Sequence, residues 1–237
     1  MVTEAIILAG GFGSRLSSLI SNIPKPMAVL NNKPFLEYQL DYLIDNGISR
    51  VIISVGYKKE VIIDYFADNY KSLEIIYSKE DEPLGTGGAI KYAIERVKGN
   101  LTYIINGDTF FKLDLKKMLQ FHDNNNSFFT IAIKEQEKTK SYGNLVLNKN
   151  MRIVDFEEKV AISRYINGGV YLVEKDTFKQ LNSPNTFSIE KDFFPKYVKS
   201  KNFYGYLSKN YFVDIGTPNR FVQADKQFSK IFDHKNK

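Results

Sequence analysis

The chain has 237 residues, 43% of them hydrophobic and 25% charged, enough to bury a full core as one domain. It has no cysteine, only two histidines and no run of 18 apolar residues. That excludes disulfide, thiolate and zinc–thiolate chemistry and a transmembrane helix, and leaves a Ser–His–Asp mechanism poorly supplied. The net charge of +6 comes mostly from scattered lysines, a pattern of a solvated basic surface rather than of a nucleic-acid site.

The first strand is expected at Glu4–Leu8 and runs into Gly10, Gly11 and Gly13, with Arg15 just beyond. Glycines after a strand expose backbone N–H groups that suit phosphates, or they simply form a tight turn into a helix, and this stretch alone leaves both readings open. "KPFLEYQLDYLIDNG" puts Leu36, Leu40, Leu43 and Ile44 on one helical face and stops at Gly47. A strand at Arg50–Val55 precedes a second helical face of Val61, Ile62, Tyr65 and Phe66. Further strands are expected at Leu73–Tyr77, Leu101–Asn106 and Phe128–Ile133. Between them "TGGAIKYAIERVKG" and "DLKKMLQFHDNN" read as helices, the second with Asp114 as N-cap. Short apolar strands alternating with helices predict an α/β fold with a doubly wound, mostly parallel, Rossmann-like sheet.

After residue 140 the rhythm changes. A hairpin is expected around Asn148–Asn150, then a strand in "RYINGGVYLV" and a helix in "FSIEKDFFPKYVK". Strands in "NFYGYL" and "YFVDIG" and a terminal helix from Pro218 complete a mixed or antiparallel, lid-like annex over the sheet. No repeat or low-complexity linker divides the chain, so a single domain over 1–237 is expected. No leader-like segment opens it, so a cytoplasmic location and no membrane partner are expected.

Ligands of open α/β sheets bind beyond the carboxyl ends of the strands, so the polar residues just after strands are the candidates. These are the glycine loop, "KEDEPLGTGG", "NGD" and "VDIGTP". A dinucleotide fingerprint is excluded by Leu16 in place of a third glycine and by the missing acidic residue after Val55; no Gly-Lys-Ser/Thr exists for a Walker A loop. Lys25 in "IPKPM" is stiffened by its flanking prolines and reads either as a solvated turn lysine or as a phosphate contact. Asp108 and Asp214 read as turn caps, or as two carboxylates at the strand ends of one crevice that would suit Mg²⁺.

In order, "LAGGFGSRL", "PKPM", "EPLGTGGAI", "NGD", "FEEK" and "VDIGTP" resemble the sugar-1-phosphate nucleotidyltransferases, also called sugar-nucleotide pyrophosphorylases. The resemblance implies a GT-A-like nucleotidyltransferase domain with a nucleotide-binding half over about 1–135 and a sugar-binding half over about 136–237. It implies that Leu8, Ala9, Gly10, Gly11, Gly85, Thr86 and Gly107 line the nucleotide, that Arg15 grips the triphosphate and that Lys25 steadies the phosphates. Asp108, the third residue of the catalytic set, would hold Mg²⁺ with Asp214. Tyr142, Gly143, Glu158 and Asn167 would line the sugar pocket, and Lys159 would meet the sugar phosphate.

Glu80 stands where relatives place a base-reading side chain, and an ionised carboxylate matches the two adjacent donors of guanine. Departures from the family pattern fall on loops: Val160 replaces a proline, "SSLI" replaces Pro–Leu–Thr, and Phe212 stands near Asp214 where a tryptophan is usual. The resemblance implies small-molecule partners, GTP and a heptose 1-phosphate. Mannose 1-phosphate, a thymidylyl or uridylyl transfer, and a catalytically silent nucleotide-sensing subunit stay open at this level, as does a homodimer.

Overall fold

The structure is a computed structural model and describes residues 2–16, 22–136, 143–158, 164–181 and 183–232. Its first part runs β1 (Glu4–Leu8), β2 (Val29–Leu30), β3 (Lys33–Pro34), α1 (Phe35–Asp45), β4 (Arg50–Val55), α2 (Lys59–Phe66), β5 (Asn69–Tyr70) and β6 (Leu73–Lys79). Next come α3 (Gly85–Ala93), β7 (Leu101–Asn106), β8 (Thr109–Phe111), α4 (Leu115–Asn124) and β9 (Phe129–Glu135). Then follow β10 (Gly143–Leu147), β11 (Ile153–Glu158), β12 (Tyr165–Glu174), α5 (Lys175–Lys179), α6 (Phe194–Tyr197), β13 (Phe203–Leu207), β14 (Phe212–Asp214) and α7 (Pro218–Phe232).

The main sheet has the order β11-β10-β12-β7-β1-β4-β6-β5, with β9 on β12 and β13 on β9. Its centre is parallel: β1 lies between β4 and β7, and β4 pairs β6 in the same sense. Each central strand feeds both faces. Ala5 and Ile7 of β1 join Val51, Ile53 and Val55 of β4 under α1 and α2, whereas Ile6 and Ile52 pack beneath α3 with Ile90, Ala93 and Ile94. Strands with helices on both sides must be apolar at every position, which is why these runs carry no alternation. The chain moves outward from β1 to β4 and β6, then returns to the other side of β1 at β7, so a crevice opens beyond β1.

Three sequence expectations need correction. The strands of the second half do not form a lid over the sheet; antiparallel β10, β11 and β12 extend it, as does β13, which runs parallel to β9. The physical reason is the length of β12, ten residues: Val170–Glu174 pair β7, Ile166 farther along pairs β10, and β9 pairs both halves of the strand from Tyr165 to Val173. The strand expected at Phe128–Ile133 keeps the direction of β7 but is separated from it by antiparallel β12. The helix expected in "FSIEKDFFPKYVK" is a widened π turn at Ile189–Phe193 ahead of α6. There Phe194 N–H bonds Ile189 O, and Pro195 has no N–H with which to close an α turn. The short pieces β2, β3, β5, β8 and α5 lie below the length at which periodicity speaks.

A third apolar cluster fastens the carboxyl-terminal helix. Phe228 of α7 meets Tyr38 of α1 edge-on at 4.7 Å and Phe110 of β8 at 5.7 Å. No helix among the described residues is long and apolar enough to cross a membrane.

Asp114 caps α4 as expected, accepting from Lys117 N–H at 3.0 Å. On the same helix His122 is buried against β9, its Nδ1 2.8 Å from Thr130 Oγ1, and Thr130 donates on to Ser127. Burial holds its pKa below the ordinary 6.5, against the opposing pull of Asp123 and Glu174. The unfolded chain therefore binds a proton near pH 6.5 that the folded chain refuses, so this residue's contribution is full above that pH and is lost as pH falls through it. His122→Gln is expected to unfold more easily at pH 7.5, by about 1–2 kcal/mol. It should also lose less stability than the parent between pH 7.5 and 5.5. Urea titrations at the two pH values check this, and equal losses in both proteins would exclude His122 as the group responsible.

Candidate active site

Three strand ends meet at the crevice. Ala9 N–H bonds Ser54 O at the end of β4 (2.8 Å), and Gly107 N–H bonds Leu8 O (2.9 Å), so the loops after β1, β4 and β7 are tied edge to edge. The cleft they border has a volume of about 310 Å³, within the range of small-molecule sites. Leu8, Ala9, Gly10, Gly11, Glu80, Gly85, Thr86, Gly107, Lys25 and Asp108 all line it. The residues expected on the nucleotide therefore come together.

Glycine is required at Gly10 by close approach: a Cβ there would stand 2.7 Å from Glu80 Oε1. At Gly85 the demand is conformational, with φ at +70°, and the space a side chain would take is filled by Phe187 O at 2.5 Å. Gly85 can thus offer a ligand only its backbone. Glu80 itself is fixed at both oxygens. Ser54 Oγ donates to Oε1 at 2.7 Å and Leu84 N–H to Oε2 at 3.2 Å, which leaves further lone pairs on a carboxylate that cannot swing. Ser54 is fully buried, and sequence reasoning missed it; the signal was a hydroxyl ending an otherwise apolar strand.

Lys25 sits in a tight turn, Lys25–Met27, whose Pro26 and Met27 are buried and whose Pro24 precedes it in extended conformation. Its Nζ meets Asp108 Oδ2 at 2.8 Å, with the two side chains 12% and 30% exposed. A solvated turn lysine would not lie so deep. Asp108 begins the turn into β8, and Asp214 ends β14 opposite Thr109. Ile215 N–H bonds Asp108 O at 2.9 Å and locks the two segments together. Both carboxylates then face one spot: a Cβ on Gly216 would lie 2.9 Å from Asp214 Oδ1 and 3.9 Å from Asp108 Oδ2. Asp214 Oδ1 also accepts from Gly216 N–H at 3.0 Å and from Arg220 at 2.9 Å.

These residues fit a hard divalent cation of the magnesium kind. No group of three or more His, Cys, Asp or Glu among the described residues is placed to hold a metal ion. Two carboxylates with phosphate and water oxygens to complete the shell is the arrangement Mg²⁺ favours over an all-protein cage.

Arg15 stands exposed on the turn Ser14–Leu16, outside the residues that line the cleft, while Leu16 beside it is fully buried and anchors the turn. In the other half Gly143 and Glu158 are paired across β10 and β11. Asn167 is engaged on both ends of its amide, donating to Tyr171 Oη at 2.9 Å and accepting from Gly169 N–H at 2.9 Å. Burial raises the Tyr171 pKa well above that of an ordinary phenol. Tyr142 and Lys159 lie outside the described residues.

Sequence reasoning also missed Phe12 and Gln39. Phe12 is 59% exposed at the cleft, its ring 5.2 Å from that of Tyr57. Gln39 is buried on α1, and its Nε2 donates to Asn106 O at 2.9 Å and to Thr109 O at 2.7 Å. It clasps the turn that carries Asp108 from below. Its signal was an amide inserted in the apolar face of Leu36, Leu40 and Leu43.

The nucleotidyl transferase family model matches residues 4–230. The D-glycero-alpha-D-manno-heptose 1-phosphate guanylyltransferase of Aneurinibacillus thermoaerophilus is 46% identical over 225 residues, covering 94% of this chain and 97% of the relative. The protein of the same name from Campylobacter jejuni subsp. jejuni serotype O:2 is 45% identical over 216 residues, covering 91% and 95%. HddC from Yersinia pseudotuberculosis, solved in complex with GMP-PN, superposes with a TM-score of 0.84 at 36% identity, covering 96% of this chain and 100% of that one.

Removing the amide of Gln39 strands two buried carbonyls. Gln39→Leu is expected to cost about 2 kcal/mol of stability and to lower nucleotidyl-transfer turnover at least ten-fold with little change in KM for either substrate. Urea unfolding and steady-state kinetics check the two effects; wild-type turnover in a folded variant would show that Asp108 keeps its place without the clasp.

Proposed function

The chain belongs to the nucleotidyl transferase family, and we propose that it makes GDP-D-glycero-α-D-manno-heptose and pyrophosphate from GTP and D-glycero-α-D-manno-heptose 1-phosphate. The observation that carries the guanine reading is Glu80, a carboxylate pinned by Ser54 and Leu84 N–H at the edge of the cleft. Guanine offers N1–H and the 2-amino group to such an acceptor pair, whereas adenine places an acceptor there. The two heptose 1-phosphate guanylyltransferases near 45% identity support the sugar.

In the reaction a phosphate oxygen of the sugar 1-phosphate attacks the α-phosphorus of GTP in line. A new P–O bond forms, the bond from the α-phosphorus to the bridging oxygen breaks, and pyrophosphate leaves with the electron pair. The attacking oxygen is already ionised at neutral pH, so no general base is needed, and the work falls to positioning and charge neutralisation. The backbone N–H groups of Gly10 and Gly11 cradle phosphate oxygens and Lys25 neutralises their charge. Arg15 reaches the triphosphate from the outer turn. Asp108 and Asp214 would hold Mg²⁺, which when bound supplies Lewis-acid stabilisation of phosphate charge. Tyr142, Gly143, Glu158 and Asn167 receive the sugar, with Lys159 on its phosphate. A cytoplasmic location follows from the substrates, since nucleoside triphosphates are drawn from that pool.

Pyrophosphate release from four nucleoside triphosphates against heptose, mannose and glucose 1-phosphates tests the reading. GTP with the heptose 1-phosphate is expected to give the highest kcat/KM; a preference for another triphosphate would overturn the guanylyl assignment, and one for mannose 1-phosphate the heptose assignment. Glu80→Gln is expected to erode the preference for GTP over UTP by about ten- to a hundred-fold with little effect on the sugar KM. Lys25→Ala is expected to lower kcat and kcat/KM together by at least a hundred-fold, because its contact is made to charge that the transition state redistributes. Lys25→Arg should restore only part of that, since a broad fork replaces a compact ammonium.

A further inference from the structure

A second cleft, of about 360 Å³, is lined by Lys134, Glu135, Gln136, Asp214, Arg220 and Gln223 among others. It adjoins the first at the aspartate pair, because Asp108 lines one cleft, Asp214 lines the other, and both stand within 4 Å of the same point beside Gly216. We propose that Arg220 is a further residue on the phosphate of the sugar 1-phosphate, beside the Lys159 of the reading above, and that its ion pair with Asp214 parks it in this second cleft until that phosphate arrives. The proposal rests on the transferase reading above.

Several observations converge on Arg220. Its Nη1 bonds Asp214 Oδ1 at 2.9 Å with the guanidinium side chain only 23% exposed, so the positive charge is carried to the edge of the transfer site itself. A guanidinium has five N–H donors and a planar fork suited to phosphate, so it can accept a phosphate while one N–H still faces a carboxylate. The first turn of α7, where Arg220 lies, contains no acidic residue, so the positive end of the helix dipole there is not offset from within the turn. Lys134 also lines the cleft, its Nζ tied to the carbonyls of Lys209 and Asn210 at 2.7 and 2.6 Å, while the neighbouring carboxylate of Glu135 is paired with Arg164 at 3.2 Å. Gln136, Gln223 and Gln227 add uncharged amide donors to the same cleft. The cleft thus offers a place for a phosphate beside Asp214.

The arrangement also explains why Asp214 carries an arginine where Asp108 carries a lysine. Each carboxylate rests against a cation that the substrates displace, Lys25 toward the nucleotide and Arg220 toward the sugar phosphate. A purely structural ion pair would keep Asp214 in place and nothing more. The two roles differ in sign. If Arg220 competes for Asp214, its removal frees that carboxylate for a divalent cation while weakening the sugar phosphate; if it merely props Asp214, its removal weakens both.

The test uses the full chain, Arg220→Ala and Arg220→Lys, with folding checked by circular dichroism. Pyrophosphate release gives KM for heptose 1-phosphate and for GTP, calorimetry gives heptose 1-phosphate binding without turnover, and paramagnetic resonance gives Mn²⁺ affinity without substrate. In Arg220→Ala the heptose 1-phosphate KM and Kd are expected to rise about ten- to a hundred-fold, the GTP KM to stay within two-fold, and Mn²⁺ to bind several-fold more tightly. Arg220→Lys should recover part of the sugar-phosphate affinity. Unchanged binding of heptose 1-phosphate in the alanine variant, or weaker Mn²⁺ binding with both KM values raised together, would overturn the proposal. If the parent binds heptose 1-phosphate without releasing pyrophosphate, the transferase reading fails while Arg220 is still judged by the Kd; if the parent does not bind it, both fail.

Discussion

Three ladder positions hold Asp214 beside Asp108: Phe212 opposite Phe111, Val213 opposite Phe110, and Asp214 opposite Thr109. A two-stranded ribbon of that length is marginal alone, and it persists because its neighbours are packed. Phe110 lies between Tyr42 and the Phe228 ring of α7, and Ile215 and Ala224 close the same cluster from the carboxyl-terminal side. The aromatic contacts therefore act on the chemistry at one remove. They fix the segment that fixes the second aspartate.

Charge is then distributed around that pair with little to spare. Two carboxylates brought to one spot repel, and each stands against a cation, Lys25 at 2.8 Å and Arg220 at 2.9 Å. At such distances and partial burial the attraction is worth several times its value in water. Gln39 supports the geometry without charge by holding carbonyls on either side of Gly107 and Asp108. Helix α1 is thus tied to the site by hydrogen bonds and to the sheet by the leucines around them.

The nucleotide side follows a different logic, in which absence of side chains is the working feature. Gly10 and Glu80 approach so closely that either a Cβ or a freely rotating carboxylate would break the contact, and Ser54 removes the second option. The helix after this loop, α3, is secured by the segment around Phe187, whose carbonyl takes the N–H of Gly87 at 2.9 Å. On the proposed reading, a backbone-lined cleft with one fixed carboxylate would select its nucleotide by hydrogen-bond pattern.

Much of this was legible from residue order alone. Burial on both faces writes an unbroken apolar run, so β1, β4 and β7 could be read to the residue, and a cap such as Asp114 needs only its own helix. The glycines, Lys25, Glu80 and Asp108 could be named as candidates from their places after strands or on a proline-stiffened turn, but for Lys25 and Glu80 it was the resemblance to the nucleotidyltransferases, not the local sequence, that favoured a ligand over a solvated side chain. What joins them is not local. The pairing of β8 with β14, the insertion of β12 between β7 and β9, and the approach of Arg220 to Asp214 depend on which distant surfaces fit together. Gln39 and Ser54 were invisible for the same reason: their neighbours in sequence are apolar, and the groups they bind arrive only when the sheet and its helices close. The sequence by itself determined the strand ends and the chemistry they carry, because those follow from burial and turn geometry within a few residues. Only the tertiary structure decided which of those groups share a site, because that is settled by packing between segments the sequence does not align.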